Sequence, residues 1–507
     1  MPETLSPGKP ESFLSSLKSS VLWKSVGRVS GALKHIIVAA AIGLSAQLDV
    51  FYMAMALMGI FVFSWAQMLE VVAVPKLVEL FNTDEKEDFL NLVSGLFVLC
   101  LCVSLLICIL FLFFREILAK VAWGFDDERR RLLVESFVWF IPLIFFYIPF
   151  RFMGSIFRSV RRFSLFYQAE CIVDGATLVL IVLYKDQPHV LYWSFSLGFS
   201  IAFLFLFIFF IKNFPIRKSV SIKKIIHVLK AGPSLMMLQT TQYLYAITDR
   251  FFVSFLGTGN VSALAYGNTI AYFMEPLVSI KSAFVTVFAE SKDLVQKNGV
   301  YNDLVSLAIF LAIPLNLFLV VFGKDLVGLF LERGVFSRTD TELVSLAVSG
   351  FAWSILPMLL QEPIEQIFQV QRQLGWIVVR KLAGLMTSVV LNGIFVFYCG
   401  WGVWGIALAT TIGQWVVLVL GLAAAGKLLL YLEWKRHAFW MIWIAGGMTL
   451  TVVCLESAMP DAASPLFRVG LECGIFLGMT LVLGIGYRGK EGKLVRSAVK
   501  RIVLRKN

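Results

Sequence analysis

Residues 91–114 read NLVSGLFVLCLCVSLLICILFLFF and contain no charged side chain. A helix of about 20 such residues is long enough to cross the apolar core of a bilayer. Similar stretches recur along the 507 residues, of which 59% are hydrophobic and only 15% charged. Soluble cores could not bury 46 phenylalanines and 13 tryptophans beside so few charges. The composition therefore predicts an all-α polytopic membrane protein. Despite the net charge of +12, it excludes a soluble enzyme, a nucleic-acid-binding domain and a disulfide-stapled secreted module.

Hydrophobic runs separated by Pro, Gly and charged residues predict fourteen transmembrane helices. Their limits are residues 22–43, 49–75, 91–114, 132–157, 165–184, 190–211, 228–256, 261–288, 302–323, 341–370, 376–398, 403–426, 438–456 and 467–487. An even number of spans places both termini on one side of the membrane. Cytoplasmic loops carry an excess of Lys and Arg. With both termini inside, the inner segments hold 30 of the 45 Lys and Arg residues and the outer loops hold 10. Both termini are therefore predicted to be cytoplasmic.

Landmarks recur at an offset of 211 residues and predict an internal repeat. Asp49 and Asn260 each open a helix, and Ile156-Phe157 and Ile367-Phe368 each close a helix that contains proline. Helices 1–6 and 7–12 are thus predicted to be two copies of one six-helix unit, with two further helices appended. Each copy has an even number of spans, so both have the same orientation. Transporters built this way bind substrate between the repeats and rock one half against the other.

This repeat gives the predicted domain organisation. Its parts are a cytoplasmic N-terminal segment (1–21), an N-lobe (22–212), a cytoplasmic linker (213–227), a C-lobe (228–426), helices 13 and 14 (438–487) and a basic cytoplasmic tail (488–507).

Ionisable side chains inside predicted spans cost at least a few kcal/mol each, so each one is a candidate functional residue. Arg28 lies close enough to the inner surface to extend its side chain into water. Lys34 lies near the middle of helix 1 and is predicted to face a water-filled cavity; the alternative is a packing role, paired with an acid such as Glu70. Asp49 opens helix 2, where a carboxylate also suits a helix cap. The other intramembrane charges are Arg151, Glu170, Asp174, Asp249, Arg250, Glu275, Lys281, Glu362 and Glu365. Of these, Arg151 is predicted to pair with Glu170 and Asp174.

Signals for enzymatic chemistry are absent from the sequence. The seven cysteines form no CxxC pair and no metal-ligand spacing with the four histidines, so they are interpreted as small hydrophobic residues. No nucleophile–base pair, phosphate-binding loop, HExxH or nucleotide fingerprint occurs. Lys24, Arg28 and Lys34 interrupt the first apolar stretch, which argues against a cleavable signal peptide. The chain is therefore predicted not to be an enzyme and to have no firm metal site and no cofactor, apart from Na⁺ or H⁺ as a coupling ion.

Short motifs spread along the whole chain resemble the MurJ/MviN family of lipid II flippases. Residues 27–34 (GRVSGALK), the small-residue run 39–43 and Asp49-Val50-Phe51 are similar to the first two helices of that family. Further matches are residues 74–77 (VPKL), 329–336 (LFLERGVF), 367–372 (IFQVQR) and 402–409 (GVWGIALA). Their common order and spacing carry the resemblance, since no single motif is specific.

The resemblance implies the multidrug/oligosaccharidyl-lipid/polysaccharide exporter fold, with two six-helix lobes, a central cavity and a lipid-facing groove on two extra helices. It implies movement of an undecaprenyl-pyrophosphate-linked sugar across the bacterial inner membrane. The implied partners are this lipid-linked glycan and membrane lipids. The chain is predicted to be a monomer, with envelope-synthesis enzymes as further possible partners. The predicted cavity residues are Arg28, Lys34, Asp49, Arg250 and Lys281.

The chain departs from the family at several cavity positions. Lys34 replaces an arginine, and two further family arginines fall on Val62 and Thr269, which raises the prospect of a changed substrate. Some family members are thought to bind sodium between helices 7, 11 and 12. Asp249, Asn392 and Thr411 match that pattern, but Val396 replaces a second carboxylate.

Three functions of different kinds stay open at this point. A flippase for lipid II or a related precursor, such as an O-antigen or capsule unit, is favoured. A cation-coupled multidrug antiporter shares the fold, but a cationic drug would need carboxylates where helix 1 offers cations. A non-transporting scaffold for an envelope-synthesis complex has no reason to bear the cost of intramembrane charges.

Overall fold

A computed structural model describes residues 13–83, 85–217, 222–230, 232–273, 294–370, 373–425, 433–458, 465–487, 489–493 and 495–497. The helices of the N-terminal half are α1 (Phe13–Ile42), α2 (Ala46–Met58), α3 (Ser64–Asn82), α4 (Lys86–Phe113), α5 (Arg115–Ala119), α6 (Asp127–Trp139), α7 (Ile141–Ser159), α8 (Phe163–Leu183) and α9 (Val190–Asn213). They continue as α10 (Ile222–Leu229), α11 (Gly232–Val253), α12 (Asn260–Tyr272), α13 (Leu294–Leu331), α14 (Arg338–Ala352), α15 (Ile355–Val370), α16 (Leu374–Gly393), α17 (Gly402–Ala425), α18 (Trp434–Ala458) and α19 (Pro465–Gly486). The described residues contain no strand, so the predicted all-α membrane class is confirmed.

The predicted number of fourteen spans is not confirmed. In the described parts of the chain, eleven helices are long and apolar enough to cross a membrane, or twelve if a bent pair is one span. Part of the predicted eighth helix, with the candidate Lys281 and with Glu275, lies outside the described residues. The predicted helix 302–323 is longer than expected, since α13 has 38 residues.

Proline explains two breaks inside predicted helices. The predicted span 132–157 is divided at Phe140 into α6 and α7, and Pro142 occupies the first turn of α7. The span 341–370 is divided into α14 and α15, which meet at a bend of 43°, and Pro357 follows that bend. Proline has no N–H and fits the first turn of a helix better than its interior. The two proline-containing helices of the predicted repeat are therefore both broken just before a proline.

Contacts divide the chain into two compact units. The first contains Met1–Ser262 and Arg333–Phe336, and the second contains Ala263–Glu332 and Ser337–Asn507. The helix α11 belongs to the first unit because it packs against α2 and α3. The two six-helix lobes and their linker at 213–227 stay a prediction.

Small residues let helices within each unit approach closely, as is usual in membrane proteins. In the first unit, a Cβ on Gly198 of α9 would lie 2.4 Å from the Thr177 hydroxyl of α8. In the second, a Cβ on Gly413 of α17 would lie 2.8 Å from the Gly384 carbonyl of α16. A π-helical turn, Gly59–Phe63, joins α2 to α3. There, a Cβ on Gly59 would lie 2.5 Å from the Tyr243 ring of α11.

The segment 333–336 packs against the end of α1 inside the first unit. The Val335 N–H donates to the Ala40 carbonyl at 3.0 Å. Gly334 has φ +61°, and a Cβ there would lie 2.1 Å from the Ala40 carbonyl oxygen. This position requires glycine for two separate reasons, a left-handed backbone and a close backbone approach.

Replacing Gly334 with Ala is expected to lower the thermal unfolding temperature of the purified protein in detergent. The left-handed conformation costs a non-glycine residue about 1–2 kcal/mol, and the clash with Ala40 adds to that cost. Gly400→Ala is the matched control, since Gly400 has φ +66° and nothing within 4 Å of its added Cβ. Equal losses in the two variants would show that the contact with Ala40 contributes nothing.

Candidate functional site

Lys34, the central candidate on α1, forms an ion pair with Asp174 on α8. The Lys34 Nζ lies 2.5 Å from Asp174 Oδ1, and the two side chains are 16% and 17% exposed. The Ser30 hydroxyl donates to Asp174 Oδ2 at 3.4 Å. The Lys34 ammonium also lies 5.0 Å from the centre of the Phe195 ring. Lys34 is thus paired with an acid, as the alternative predicted, but the acid is Asp174 and not Glu70. The pair is neither fully buried nor fully exposed.

Glu70 on α3 pairs instead with two arginines of α7. Its carboxylate lies 3.0 Å from Arg151 Nη2 and 2.8 Å from Arg158 Nη2. Arg151 Nη1 is also 3.0 Å from Glu170 of α8. Both guanidinium groups lie over the Phe166 ring, at 5.2 and 4.7 Å from its centre. The structure thus places Arg151 with Glu70 and Glu170, whereas Asp174 is paired with Lys34.

These contacts form two groups of ion pairs on four helices of the first unit, and the two groups are neighbours because Glu170 and Asp174 lie one turn apart on α8. The N-terminal charged cluster consists of Lys34, Glu70, Arg151, Arg158, Glu170 and Asp174. Three cations face three carboxylates, so the formal charges of the cluster sum to zero. Arg158 is the member that the sequence did not single out, since it lies in the last turn of α7 and is indistinguishable from an ordinary inner-loop arginine.

Asp49 does not line an open site, which corrects its place in the predicted cavity set. Its side chain is completely buried. It accepts hydrogen bonds from the N–H groups of Gly259 and Ser262 at 2.7 and 2.8 Å, and from the Ser262 hydroxyl. Arg129 Nη1 lies 3.6 Å away. Asp49 therefore satisfies the N-terminal N–H groups of α12.

The cap of α2 is also different from the prediction. The Ser45 hydroxyl, not Asp49, accepts from the Leu48 N–H at the start of α2. Arg129 is held by Asp126, whose carboxylate accepts from the Arg129 N–H at 2.9 Å and from its Nε at 3.3 Å. That backbone hydrogen bond lowers the pKa of Asp126, with the Arg129 charge adding to the effect. Asp126 therefore stabilises the fold above the ordinary pKa of aspartate, and this stabilisation is lost as the pH falls through the lowered value.

The other cavity candidates are not gathered into one described cluster. Arg28 is exposed on α1, and Arg250 of α11 is partly buried with a buried Nε that makes no hydrogen bond. Lys281 lies outside the described residues. Val62 is completely buried, and the Thr269 hydroxyl donates to the Ala265 carbonyl of its own helix. The two substituted positions therefore supply no replacement charge.

The predicted sodium ligands fall in different units. Asp249 is buried on α11 of the first unit, and Asn392 and Thr411 are buried on α16 and α17 of the second. The helices α16 and α17 pack against each other, and Thr411 donates its hydroxyl to the Gly350 carbonyl at 2.8 Å. Among the described residues, no group of three His, Cys, Asp or Glu side chains could hold a metal ion. The sodium site stays a prediction.

Long apolar helices with ion pairs inside them define the class of the protein as a polytopic α-helical membrane protein. Its fold is similar to that of a solved lipid II flippase MurJ in an inward closed conformation, with a TM-score of 0.78, 17% identity, and coverage of 92% of this chain and 98% of that one. It is also similar to an inward-facing multidrug resistance MATE family transporter of the MOP superfamily, with a TM-score of 0.61, 14% identity, and coverage of 87% and 100%. The predicted exporter fold is confirmed.

Sequence comparison gives the particular family. The family model "Lipid II flippase MurJ" matches residues 38–461. Probable lipid II flippases MurJ of Vibrio cholerae and Aquifex aeolicus are each 24% identical to this chain. Those matches cover 92% and 95% of this chain, and 96% and 98% of the relatives. The chain belongs to the MurJ family, and the resemblance drawn from its short motifs is confirmed.

Replacing Glu70 with Gln is expected to destabilise the first unit by about 1–3 kcal/mol, because two guanidinium groups lose their charged acceptor. Glu170→Gln is the matched control. Glu170 contacts one guanidinium and is more exposed than Glu70, so its loss should cost less than about 1 kcal/mol. Thermal unfolding in detergent measures both variants. A larger loss in Glu170→Gln would contradict the central position of Glu70 in the cluster.

Proposed function

We propose that this chain moves an undecaprenyl-pyrophosphate-linked glycan precursor, lipid II or a related lipid, from the inner to the outer leaflet of the bacterial cytoplasmic membrane. The transport proceeds by alternating access and serves cell-wall synthesis. Membership of the MurJ family supports the substrate class. The excess of inner Lys and Arg supports cytoplasmic termini. The chain works as a monomer, in a membrane that also holds the enzymes of envelope synthesis.

The Lys34–Asp174 ion pair is the observation that carries the proposal. An ammonium inside a transmembrane helix is held by a carboxylate on a neighbouring helix, and both groups remain partly exposed. A diphosphate offers more negative charge and more acceptor oxygens than one carboxylate. It can therefore replace Asp174 as the partner of Lys34. The ion pair keeps the cation inside the membrane at an acceptable free energy until the substrate arrives.

A lipid-linked O-antigen or capsule unit is the second candidate substrate. The observation that favours it is the loss of two family arginines, at Val62 and Thr269, without a replacement charge at either position. The antiporter alternative has the same fold, but membership of the MurJ family favours the lipid-linked glycan. Both candidate substrates carry the diphosphate, so the choice between them must depend on contacts with the sugar part of the head group.

Genetic complementation tests the proposed function. The host's own lipid II flippase is depleted while this chain is expressed, and restored growth is expected. Rescue of an O-antigen flippase mutant in place of growth would move the substrate to the second candidate. Rescue of neither strain by abundant, membrane-inserted protein would overturn the proposal.

Replacing Lys34 with Ala is expected to abolish complementation and to weaken apparent substrate affinity about ten- to hundredfold, since a charge-assisted hydrogen bond contributes about 1.5–3 kcal/mol. Lys34→Arg should retain transport, because the positive charge is kept. Flippase activity is measured by the appearance of the lipid-linked substrate in the outer leaflet, and protein abundance by immunoblot.

The double variant Lys34→Ala/Asp174→Asn separates binding from packing. Lys34→Ala alone leaves the Asp174 carboxylate without its cation, so any loss of abundance should be recovered in the double variant, while transport stays absent. Asp174→Asn alone should keep transport, because Lys34 remains available to the diphosphate. Recovery of transport in the double variant would show that Lys34 serves only to neutralise Asp174.

A further inference from the structure

A second group of intramembrane charges lies in the second unit, where α19 packs against α13. Glu472 of α19 is 0% exposed. Its Oε1 accepts from Arg468 Nε at 3.1 Å. Its Oε2 is buried and makes no hydrogen bond to any described residue. One half of a completely buried carboxylate is thus satisfied by a cation, and the other half is not.

Asp325 of α13 shares the same guanidinium. Arg468 Nη2 lies 3.3 Å from Asp325 Oδ2, while its Nε donates to Glu472 Oε1 at 3.1 Å. Two carboxylates thus meet at one arginine. Two carboxylate oxygens cannot form a hydrogen bond with each other unless one of them carries a proton, and two like charges in an apolar site oppose each other's ionisation.

No other described charge compensates for the excess carboxylate. On α13, the neighbouring Lys324 is held 2.7 Å from Glu342 of α14. On α18, the other helix packed against α19, the described charged or histidine side chains are Lys435, Arg436 and His437, all in its first turn. On α19 itself, Cys473 is the adjacent titratable residue. With both acids ionised, Arg468 would face two negative charges.

We propose that Glu472 and Asp325 form a proton-binding site in which the two carboxylates share one proton at neutral pH. The proton sits on Glu472 Oε2 and is donated to Asp325, which gives the unsatisfied oxygen its hydrogen bond. Asp325 and Arg468 are 31% and 40% exposed, so water can deliver and remove the proton through them. Loss of the proton leaves two carboxylates repelling each other across the contact between α13 and α19.

The site offers a binding position for H⁺ as the coupling ion, and this part of the inference rests on the proposed transport function. Protonation strengthens the contact between α13 and α19, and deprotonation weakens it. The proton gradient across the membrane can therefore act on the contact between these two helices, at a site built from residues other than Lys34 and its cluster.

Infrared difference spectroscopy of the full chain in lipid nanodiscs tests the proton directly and needs no transport. Spectra are recorded between neutral pH and about pH 10, far above the ordinary titration of Glu and Asp. The expected result is a carbonyl stretch of a protonated carboxylic acid at neutral pH that is lost at high pH. Glu472→Gln should remove the band, and Asp325→Asn should shift it, because the hydrogen-bond acceptor changes.

Glu70→Gln is the control, since Glu70 lies between two arginines and should contribute no protonated band. A neutral-pH band that persists unchanged in both Glu472→Gln and Asp325→Asn would overturn the proposal. The absence of any protonated carboxylic acid band at neutral pH from the parent chain would also overturn it. Glutamine has nearly the shape of protonated glutamic acid, so Glu472→Gln is expected to fold. Should it fail to fold, Asp325→Asn provides an independent test.

The coupling role has its own readout. In proteoliposomes with an imposed pH difference, Glu472→Gln is expected to transport the lipid-linked substrate without acceleration by that difference. A response equal to that of the parent chain would overturn the coupling role and leave the proton site standing. Absence of transport by the parent chain would count against the proposed function, while the infrared result would remain valid.

Discussion

The proposed binding of an anion by the first unit depends on the ion pair between Lys34 and Asp174. A lone ammonium in the middle of a span would have a high free energy in the apolar core of the membrane. A completely buried ion pair could not be reached by a substrate. The pair in this chain has a partner of opposite sign and still exposes about a sixth of each side chain. The site is therefore suited to exchange the Asp174 carboxylate for another anion as the partner of Lys34.

Charge balance distinguishes the clusters of the two units. In the N-terminal charged cluster, three cations match three carboxylates across four helices, so the helices are joined without a net charge. In the second unit, Arg380 and Lys381 share the single carboxylate Glu365 at 3.1 and 3.0 Å, whereas Arg468 is shared by two carboxylates. In the N-terminal charged cluster, the side chains of the protein alone neutralise every charge. The group of Arg468, Asp325 and Glu472 has one cation and two carboxylates, so its charges sum to zero only when it has bound a proton.

Sequence patterns predicted well what depends on local composition. Hydrophobic runs located most of the spans, because hydrophobicity acts within one helix. The breaks before Pro142 and Pro357 were not predicted, since the spans 132–157 and 341–370 were expected to be continuous. The partners of the charges were predicted less well. Nothing near Lys34 in the sequence indicates Asp174, which is 140 residues away, and Asp49 was assigned to a cavity although it caps α12. Glu472 near the start of a predicted span has the position of an ordinary helix-end charge, and only the fold brings Asp325 beside it.

The loss of two family arginines limits how a diphosphate can be held. A single lysine does not neutralise a doubly charged group, so a second cation is needed near Lys34. On α8, Glu170 lies one helical turn from Asp174, and Glu170 is paired with Arg151. It is the most exposed carboxylate of the N-terminal charged cluster, so it is also the one that a competing anion displaces at the lowest cost. A diphosphate that replaces Asp174 at Lys34 can therefore next replace Glu170 at Arg151. Under the proposed function, Arg151 would then supply the positive charge that Val62 and Thr269 lack.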